Sequence, residues 1–176
     1  VWRMIRQTTL VLFLLSGPAL ALDTSAGAVD IVPVATGLNE PWSIGFLPDG
    51  SFLVTERDGR LLRFLPSGEA PQVISGVPDV FAEGQGGLFD VVVPRDFDQS
   101  GEVILSYALP SEDGGGAAIA LARLDGQSLS DVRVIWTMAG PTGSGVHFGG
   151  RVVESADGTL FLTTGDRGEG MPAQDP

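Results

Sequence analysis

The segment DGSFLVT at residues 49–55 returns with the same outline as DGTLFLT at residues 157–163. Between them, SGEVILS at residues 100–106 repeats the pattern of a turn glycine followed by apolar residues and a hydroxyl residue. The glycines of the three copies stand at positions 50, 101 and 158, so the unit returns after 51 and then 57 residues. A hairpin unit repeated every 40–50 residues or so is typical of a β-propeller, in which each repeat forms one blade.

The rest of the sequence supports an all-β fold. Short apolar or alternating runs, such as LLRFL at 61–65 and LFDVVV at 88–93, are bounded by turn residues, and no stretch carries a sustained helical period. Asp-Gly is a favoured pair in hairpin turns. Four aspartates that precede glycine are therefore interpreted as turn formers: Asp49, Asp58, Asp125 and Asp157. We predict a β-propeller of four-stranded antiparallel blades, with about three blades in this chain.

The N-terminal residues predict export. A basic start, MIRQ at 4–7, precedes the short apolar run LVLFLL at 10–15 and the small-residue pattern ALA at 19–21. This order is typical of a secretory signal peptide, here residues 1–21, and the apolar run is too short for a stable membrane span. We expect a bacterial periplasmic or secreted protein that is free of the membrane after cleavage, with a lead-in at 22–37 and the propeller at 38–176.

Composition excludes some functions. The chain carries 22 acidic and 10 basic residues, and its formal net charge is −12. Nucleic-acid binding is not expected, because no basic patch is present to neutralise phosphates. The chain has no cysteine, so an exported fold must rely on core packing without disulfides. With one histidine and no cysteine, no zinc-ligand set is present.

The single histidine, His147, lies in the glycine-rich stretch GVHFGGR at 145–151. A neutral imidazole is well suited to accept a proton near neutral pH, and the flanking glycines allow a close approach of backbone or ligand. A lone histidine also packs commonly as an ordinary strand residue. The motif by itself leaves both interpretations open.

A second glycine-rich stretch, GQGGL at 84–88, opens the preceding repeat. Alone it is also compatible with a turn that exposes Gln85. However, the glycine pairs at 86–87 and 149–150 align, so Gln85 and His147 stand before equivalent positions of successive repeats. Equivalent positions of neighbouring blades converge at one end of the central channel of a propeller. We therefore predict that Gln85 and His147 face a common cavity.

Asp166 follows the apolar run LFLTT at 160–164, nineteen residues after His147. An antiparallel return of this strand brings Asp166 back to the end at which His147 lies. A carboxylate that accepts the imidazole N–H fixes the tautomer and raises the basicity of the other ring nitrogen. The alternative is an aspartate that only caps the turn before Gly168.

Several motifs in order resemble the glucose/sorbosone dehydrogenase family: LNEPWSIGFLPDG at 38–50, GQGGLFDV at 84–91, VHFGGR at 146–151 and TGDRG at 164–168. Members of this family are soluble, exported aldose sugar dehydrogenases that use pyrroloquinoline quinone (PQQ). The resemblance covers residues 38–176 and implies a six-bladed propeller. The chain would then be the N-terminal portion of such a protein, with about half of the ring outside it.

The resemblance also implies roles. His147 corresponds to the general base that takes the proton of the sugar's anomeric hydroxyl while hydride passes to the quinone, which gives a lactone. Asp166 corresponds to the acid that supports this base, and Gln85 to a polar residue lining the sugar and cofactor pocket. The quinone-binding cations and the calcium ligands are expected after Pro176, and no metal ligand is expected within the chain. This portion alone is therefore expected not to bind PQQ productively.

The sequence thus predicts an exported PQQ-dependent oxidoreductase that acts on aldose sugars, with no electron acceptor assigned. Val146 stands where glucose-specific members carry an acid, which favours the broader aldose branch. One alternative is a non-catalytic propeller that binds carbohydrate or protein, and another is a calcium-dependent lactonase. Gln85, His147 and Asp166 together favour the enzyme, whereas the several acidic and amide ligands of a lactonase are not seen in the sequence.

Overall fold

The computed structural model describes residues 21–140 and 143–168. In this part of the chain the fold is nearly all-β, with twelve strands and one helix of four residues. Along the sequence, the chain divides into two compact units between Thr36 and Gly37. Among the residues described, no helix is long and apolar enough to cross a lipid bilayer.

The N-terminal unit contains one antiparallel hairpin. Its strands are β1 (Ala21–Thr24) and β2 (Gly27–Asp30). The Thr24 hydroxyl donates a hydrogen bond to the Gly27 carbonyl at 2.7 Å and closes the turn. Residues 1–20, which hold nearly all of the predicted signal peptide, lie outside the described residues, so export stays a prediction.

The second unit is built from sheets in which consecutive strands pair antiparallel. The first four-stranded sheet comprises β3 (Pro41–Phe46), β4 (Phe52–Glu56), β5 (Leu61–Phe64) and β6 (Gln72–Ile74). The second comprises β7 (Leu88–Val92), β8 (Glu102–Ser111), β9 (Gly114–Asp125) and β10 (Ser128–Thr137), with helix α1 (Phe97–Ser100) between β7 and β8. The third contains β11 (Gly149–Glu154) and β12 (Leu160–Thr164).

The repeat that the sequence revealed coincides with these sheets. Each of the three copies begins in the connection after the first strand of a sheet and runs into its second strand, which is β4, β8 or β12. The described residues therefore hold two complete blades and the first two strands of a third. The prediction of four-stranded antiparallel propeller blades is confirmed.

The aspartates at the hairpin turns act as the Asp-Gly pattern predicted. The Asp49 carboxylate accepts the Ser51 N–H at 2.9 Å, and the Asp157 carboxylate accepts the Thr159 N–H at 3.0 Å. Hydrogen bonds from the Ser155 hydroxyl and then from the Thr159 N–H lower the pKa of Asp157 to about 2. These carboxylates stabilise the turns by mimicking a backbone acceptor.

The main core lies between the first two blades. It is made of buried aliphatic residues from β4, β5, β7 and β8, including Leu53, Leu61, Leu88, Val103 and Leu105. These strands are buried on both faces, which explains why they appear in the sequence as continuous apolar runs rather than as alternating ones. Because the first strand of one blade packs beside that of the next, β7 contacts both β3 and β11.

A buried carboxylate links these three first strands. Asp90 of β7 is only 2% exposed, and its Oδ1 accepts a hydrogen bond from the Ser43 hydroxyl of β3 at 2.5 Å. The same oxygen pairs with Arg151 of β11 at 2.9 Å, and Oδ2 accepts the Val152 N–H at 2.8 Å. A buried charge is tolerated when it is paired and hydrogen-bonded in this way. Asp90 therefore fixes the relative positions of the strands whose ends carry the candidate site.

Candidate active site

The three residues singled out in the sequence lie in the segments that adjoin β7, β11 and β12. Gln85 lies shortly before β7 begins at Leu88, and His147 lies two residues before β11 begins at Gly149. Asp166 lies two residues after β12 ends at Thr164. Because β11 and β12 are antiparallel, the start of β11 and the end of β12 lie at the same edge of the third sheet. The structure brings all three residues together, with Gln85 bound to the backbone of His147 and Asp166 bound to its ring. The common cavity that the repeat alignment predicted for Gln85 and His147 stays a prediction.

His147 is paired with Asp166. The imidazole Nδ1 lies 2.6 Å from the Asp166 Oδ1, which also accepts the Gly168 N–H at 2.9 Å. The hydrogen bond with His147, followed by that from Gly168, holds the pKa of Asp166 below its usual value. The carboxylate is therefore ionised at neutral pH and accepts the proton on Nδ1, so a ring that carries one proton has its lone pair on Nε2. The His147 side chain is 54% exposed, so the ring is accessible to a small molecule.

Gln85 binds the backbone that carries His147. Its side-chain Oε1 accepts the backbone N–H of His147 at 2.8 Å, and the backbone N–H of Gln85 donates to the Gly145 carbonyl at 2.7 Å. These two contacts cross from the second blade to the segment before the third. Gln85 thus orients the histidine segment through its backbone, a contact that the sequence did not predict, and its pocket-lining role stays a prediction.

The main chain around His147 is tightly constrained. His147 has φ of 55°, in the left-handed region that residues other than glycine seldom adopt. Gly165 packs directly against the His147 carbonyl, where a Cβ atom would overlap the oxygen. Gly84 packs in the same way against the Gly145 carbonyl. These close approaches explain why the motifs around the site are rich in glycine.

Arg57 braces the Gln85 segment from the first blade and was not singled out in the sequence. Its Nη1 donates to the carbonyls of Gly84 at 2.8 Å and Gly86 at 2.9 Å, and its Nη2 pairs with Glu40 at 2.8 Å. Arg57 follows the end of β4 in an ordinary Asp-Gly hairpin sequence, so no local signal separates it from a surface arginine. Its partners lie nearly thirty residues away and only the fold brings them together.

Arg167 is the second residue that sequence reasoning missed. It is 2% exposed, its Nη1 donates to the His147 carbonyl, and its guanidinium lies 4.9 Å from the centre of the Phe148 ring. Burial lowers the pKa of this guanidinium. The sequence shows only that Arg167 directly follows Asp166 in a short turn bounded by glycines. An arginine in such a turn is ordinarily expected to point into solvent, so its burial could not be predicted.

An aromatic cluster lies beneath the site. Phe148 packs against Phe89 with ring centres 5.7 Å apart and against Phe81 at 6.2 Å. Trp42 extends the cluster, with its ring centre 5.6 Å from that of Phe89. These rings come from segments of three different blades. One of them, Phe148, directly follows His147 in the chain. They give the histidine segment a rigid apolar support.

The described residues fit one half of an alcohol oxidation. An oriented neutral imidazole beside an ionised carboxylate can accept a hydroxyl proton. In residues 21–140 and 143–168, no group of three or more histidine, cysteine, aspartate or glutamate side chains is placed to hold a metal ion. The cations nearest the site, Arg57 and Arg167, are both engaged with backbone carbonyls.

Comparison with known proteins identifies the family. The chain matches the family model described as Glucose / Sorbosone dehydrogenase over residues 38–176. The aldose sugar dehydrogenase YliI of Escherichia coli (strain K12) is 38% identical over 159 residues, which are 88% of this chain and 43% of that protein. A crystal structure of a glucose dehydrogenase is similar with a TM-score of 0.74 at 38% identity, covering 77% of this chain and 40% of the other. The PQQ-bound aldose sugar dehydrogenase from Streptomyces coelicolor gives a TM-score of 0.64 at 27% identity, covering 77% and 41%.

Fold and site together define part of a β-propeller that carries a histidine–carboxylate pair where the first strand of a blade begins. The chain belongs to the glucose/sorbosone dehydrogenase family. It spans less than half the length of the relatives that it matches.

Proposed function

We propose that the whole protein is an exported, PQQ-dependent dehydrogenase of aldose sugars. The observation that carries the proposal is the 2.6 Å contact between His147 Nδ1 and Asp166 Oδ1 on a half-exposed ring. Family membership and the similarity to aldose sugar and glucose dehydrogenases support the reaction class. The PQQ-bound structure of a relative supports the choice of cofactor.

In this proposal His147 is the base. Its Nε2 accepts the proton of the anomeric hydroxyl, and the resulting imidazolium is stabilised by the Asp166 carboxylate on Nδ1. Gln85 holds the histidine backbone at 2.8 Å so that the ring is oriented before the sugar binds. When bound, PQQ supplies the acceptor for the two electrons that leave the anomeric carbon with its hydrogen. The product of such an oxidation is a lactone.

Residues outside the described part complete the proposed site. We expect the cations that bind PQQ and the ligands of a calcium ion to come from sequence after Pro176. The described residues supply the base, its carboxylate and its backbone supports. The electron acceptor that reoxidises the cofactor is not assigned.

The proposal is tested with full-length protein supplied with PQQ and Ca²⁺, an aldose and an artificial electron-accepting dye. We expect sugar-dependent dye reduction by the wild type and a fall in kcat of about 10²–10⁴-fold in His147→Gln, the usual contribution of a general base. Arg133→Gln is a matched control, because Arg133 is a half-exposed residue that pairs with Glu102 at the start of β8, the end of the second blade farther from Leu88. Full activity in His147→Gln would contradict the assignment of the base. Sugar binding without dye reduction would instead favour a non-catalytic binding module.

A further inference from the structure

We propose that Arg167 is a positioning residue for His147. In this assignment its buried guanidinium binds the His147 carbonyl and locks the left-handed backbone of that residue, so that the imidazole stays aligned with Asp166. The inference rests on the proposed function only in taking His147 as the base. The geometry that supports it is independent of any sugar or cofactor.

The first observation is the environment of the Arg167 side chain. It is 2% exposed, and within the described residues no carboxylate lies at ion-pairing distance from its guanidinium. Its contacts are the His147 carbonyl, the Met138 sulfur and the face of the Phe148 ring. Burying a cation is unfavourable unless its hydrogen bonds are used well. Here Nη1 is committed to the backbone of the histidine, while the buried Nε has no hydrogen-bond partner among the described residues.

The second observation is that three side chains, from two segments, hold His147 at three different atoms. Gln85 Oε1 accepts its N–H, Arg167 Nη1 donates to its carbonyl, and Asp166 Oδ1 binds Nδ1 of its ring. A histidine at φ of 55° is in an unfavourable conformation for a residue with a side chain. Such a conformation persists only where the surrounding structure fixes it. The two backbone contacts provide that constraint on either side of the Cα atom.

The third observation is how Arg167 reaches its partner. Arg167 itself has φ of 58°, so the chain turns sharply directly after Asp166. This turn allows two consecutive side chains to contact one residue, with Asp166 on the ring and Arg167 on the carbonyl. A displaced Arg167 would therefore disturb the ring and the backbone of His147 together. A role confined to covering Phe148 does not require the contact with the His147 carbonyl.

The proposal can be tested by measuring which ring nitrogen of His147 carries the proton. A purely structural role of Arg167 would leave this property unchanged. His147 is the only histidine of the 176 residues, and its signals in histidine-labelled protein are assigned by their loss in His147→Gln. In wild-type spectra recorded where the ring carries a single proton, we expect two well-separated ring ¹⁵N shifts, with that proton held on Nδ1 by Asp166. In Arg167→Met, which keeps an unbranched apolar stem but has no charge and no donors, we expect the two shifts to converge as the ring samples both tautomers. In the active full-length protein the same variant should lose about 10²-fold in kcat with KM little changed, as for a misplaced catalytic group.

Arg151→Met is the matched control. The Arg151 guanidinium also lies over an aromatic ring, 4.6 Å from the centre of Trp42, but it contacts Ser43 and Asp90 rather than His147. We expect wild-type ring shifts in this variant. A folded Arg167→Met protein with wild-type shifts, or equal convergence in Arg151→Met, would overturn the proposal.

A conservative variant keeps the test decisive if Arg167→Met does not fold. Arg167→Lys retains the cation but cannot both bind the carbonyl and lie flat on the Phe148 ring. In Arg167→Lys we expect the separation of the two ring ¹⁵N shifts to be smaller than in the wild type but larger than in Arg167→Met. Wild-type shifts in the folded lysine variant would overturn the proposal. Because these spectra need neither sugar nor quinone, failure of the dye-reduction assay leaves them interpretable on their own.

Discussion

The side-chain oxygen of Gln85 accepts the backbone N–H of His147 at 2.8 Å, across 62 residues of sequence and the boundary between two blades. Gln85 therefore acts on the candidate base through the main chain. Arg57 of the first blade holds the Gln85 segment in turn, through the carbonyls of Gly84 and Gly86. The position of one imidazole thus depends on contacts that begin two blades away.

The first prediction concerns the acceptor at position 85. Gln85→Leu removes the oxygen at similar volume and takes away the partner of the His147 N–H, a loss of about 0.5–1.5 kcal/mol because the contact is exposed to water. If this energy holds the base in place, kcat in sugar-dependent dye reduction should fall about 2–10-fold. Gln85→Glu keeps an acceptor and should stay within a few-fold of the wild type. Equal activity of the leucine variant and the wild type would show that the backbone contact is dispensable.

The second prediction concerns the carboxylate. In Asp166→Asn the negative charge that stabilises the imidazolium is lost, and the amide can bind the wrong ring tautomer. We expect kcat to fall by about 10²–10⁴-fold while the fold is retained. Near-normal kcat in this variant, with normal circular dichroism, would assign Asp166 to the turn before Gly168 alone.

The same carboxylate makes a pH prediction. Because hydrogen bonds from His147 and Gly168 lower the pKa of Asp166 in the folded state, its contribution to stability is complete above the usual value of 3.8. That contribution is lost as the pH falls through the lower folded-state pKa. Titration of the Asp166 side-chain carboxyl by ¹³C NMR should therefore show a midpoint below 3.8. In His147→Gln the midpoint should move up, since the leading cause of the shift is removed.

The blade architecture could be predicted from the sequence because the turns and strands of a blade depend on residues that are close together in the chain. Three of the turn aspartates, Asp49, Asp58 and Asp157, accept the backbone N–H two residues later, so the signal and its structure lie in the same short stretch. The meeting of Gln85 with His147 was also accessible, since repeats place equivalent residues together. Their roles in catalysis remain predictions.

The supports of the site could not be predicted in this way. Arg57 and Arg167 are surface-type residues by composition, and their contacts with distant or backbone atoms exist only after the blades have packed. Asp90 lies within an apolar run and gives no sign that it accepts bonds from two other strands. Periodicity identifies which face of a strand is buried, but it does not identify a partner on another blade.

The third prediction concerns Asp90 and stability. Asp90→Ala leaves the buried Val152 N–H and Ser43 hydroxyl without their acceptor, which should lower the free energy of unfolding by about 2–4 kcal/mol. Arg151→Ala should have a smaller effect, about 1 kcal/mol, because the Arg151 side chain is 52% exposed and its pairing is screened by water. Urea unfolding of the two variants measures the difference. A larger loss in the arginine variant would mean that the ion pair, rather than the neutral hydrogen bonds, holds the strands.

The last prediction tests the close approach at Gly165. A methyl group there would overlap the His147 carbonyl oxygen and press on the carbonyl carbon at 2.7 Å, and both atoms belong to backbone that cannot move without displacing the histidine. Gly165→Ala should lower the free energy of unfolding by about 1–3 kcal/mol. Because the overlap falls on the base itself, kcat should fall by about 10²-fold as well.

Gly143→Ala is the matched control for that substitution. A Cβ at Gly143 would lie 3.4 Å from the Asp113 carbonyl oxygen, an ordinary contact, and the same methyl group is added four residues before His147. Its stability and kcat should stay close to the wild type. If both alanine variants lost kcat equally, the loss would come from stiffening the glycine-rich segments in general. A loss in Gly165→Ala alone, with urea unfolding still cooperative, would locate it at the contact between Gly165 and the His147 carbonyl.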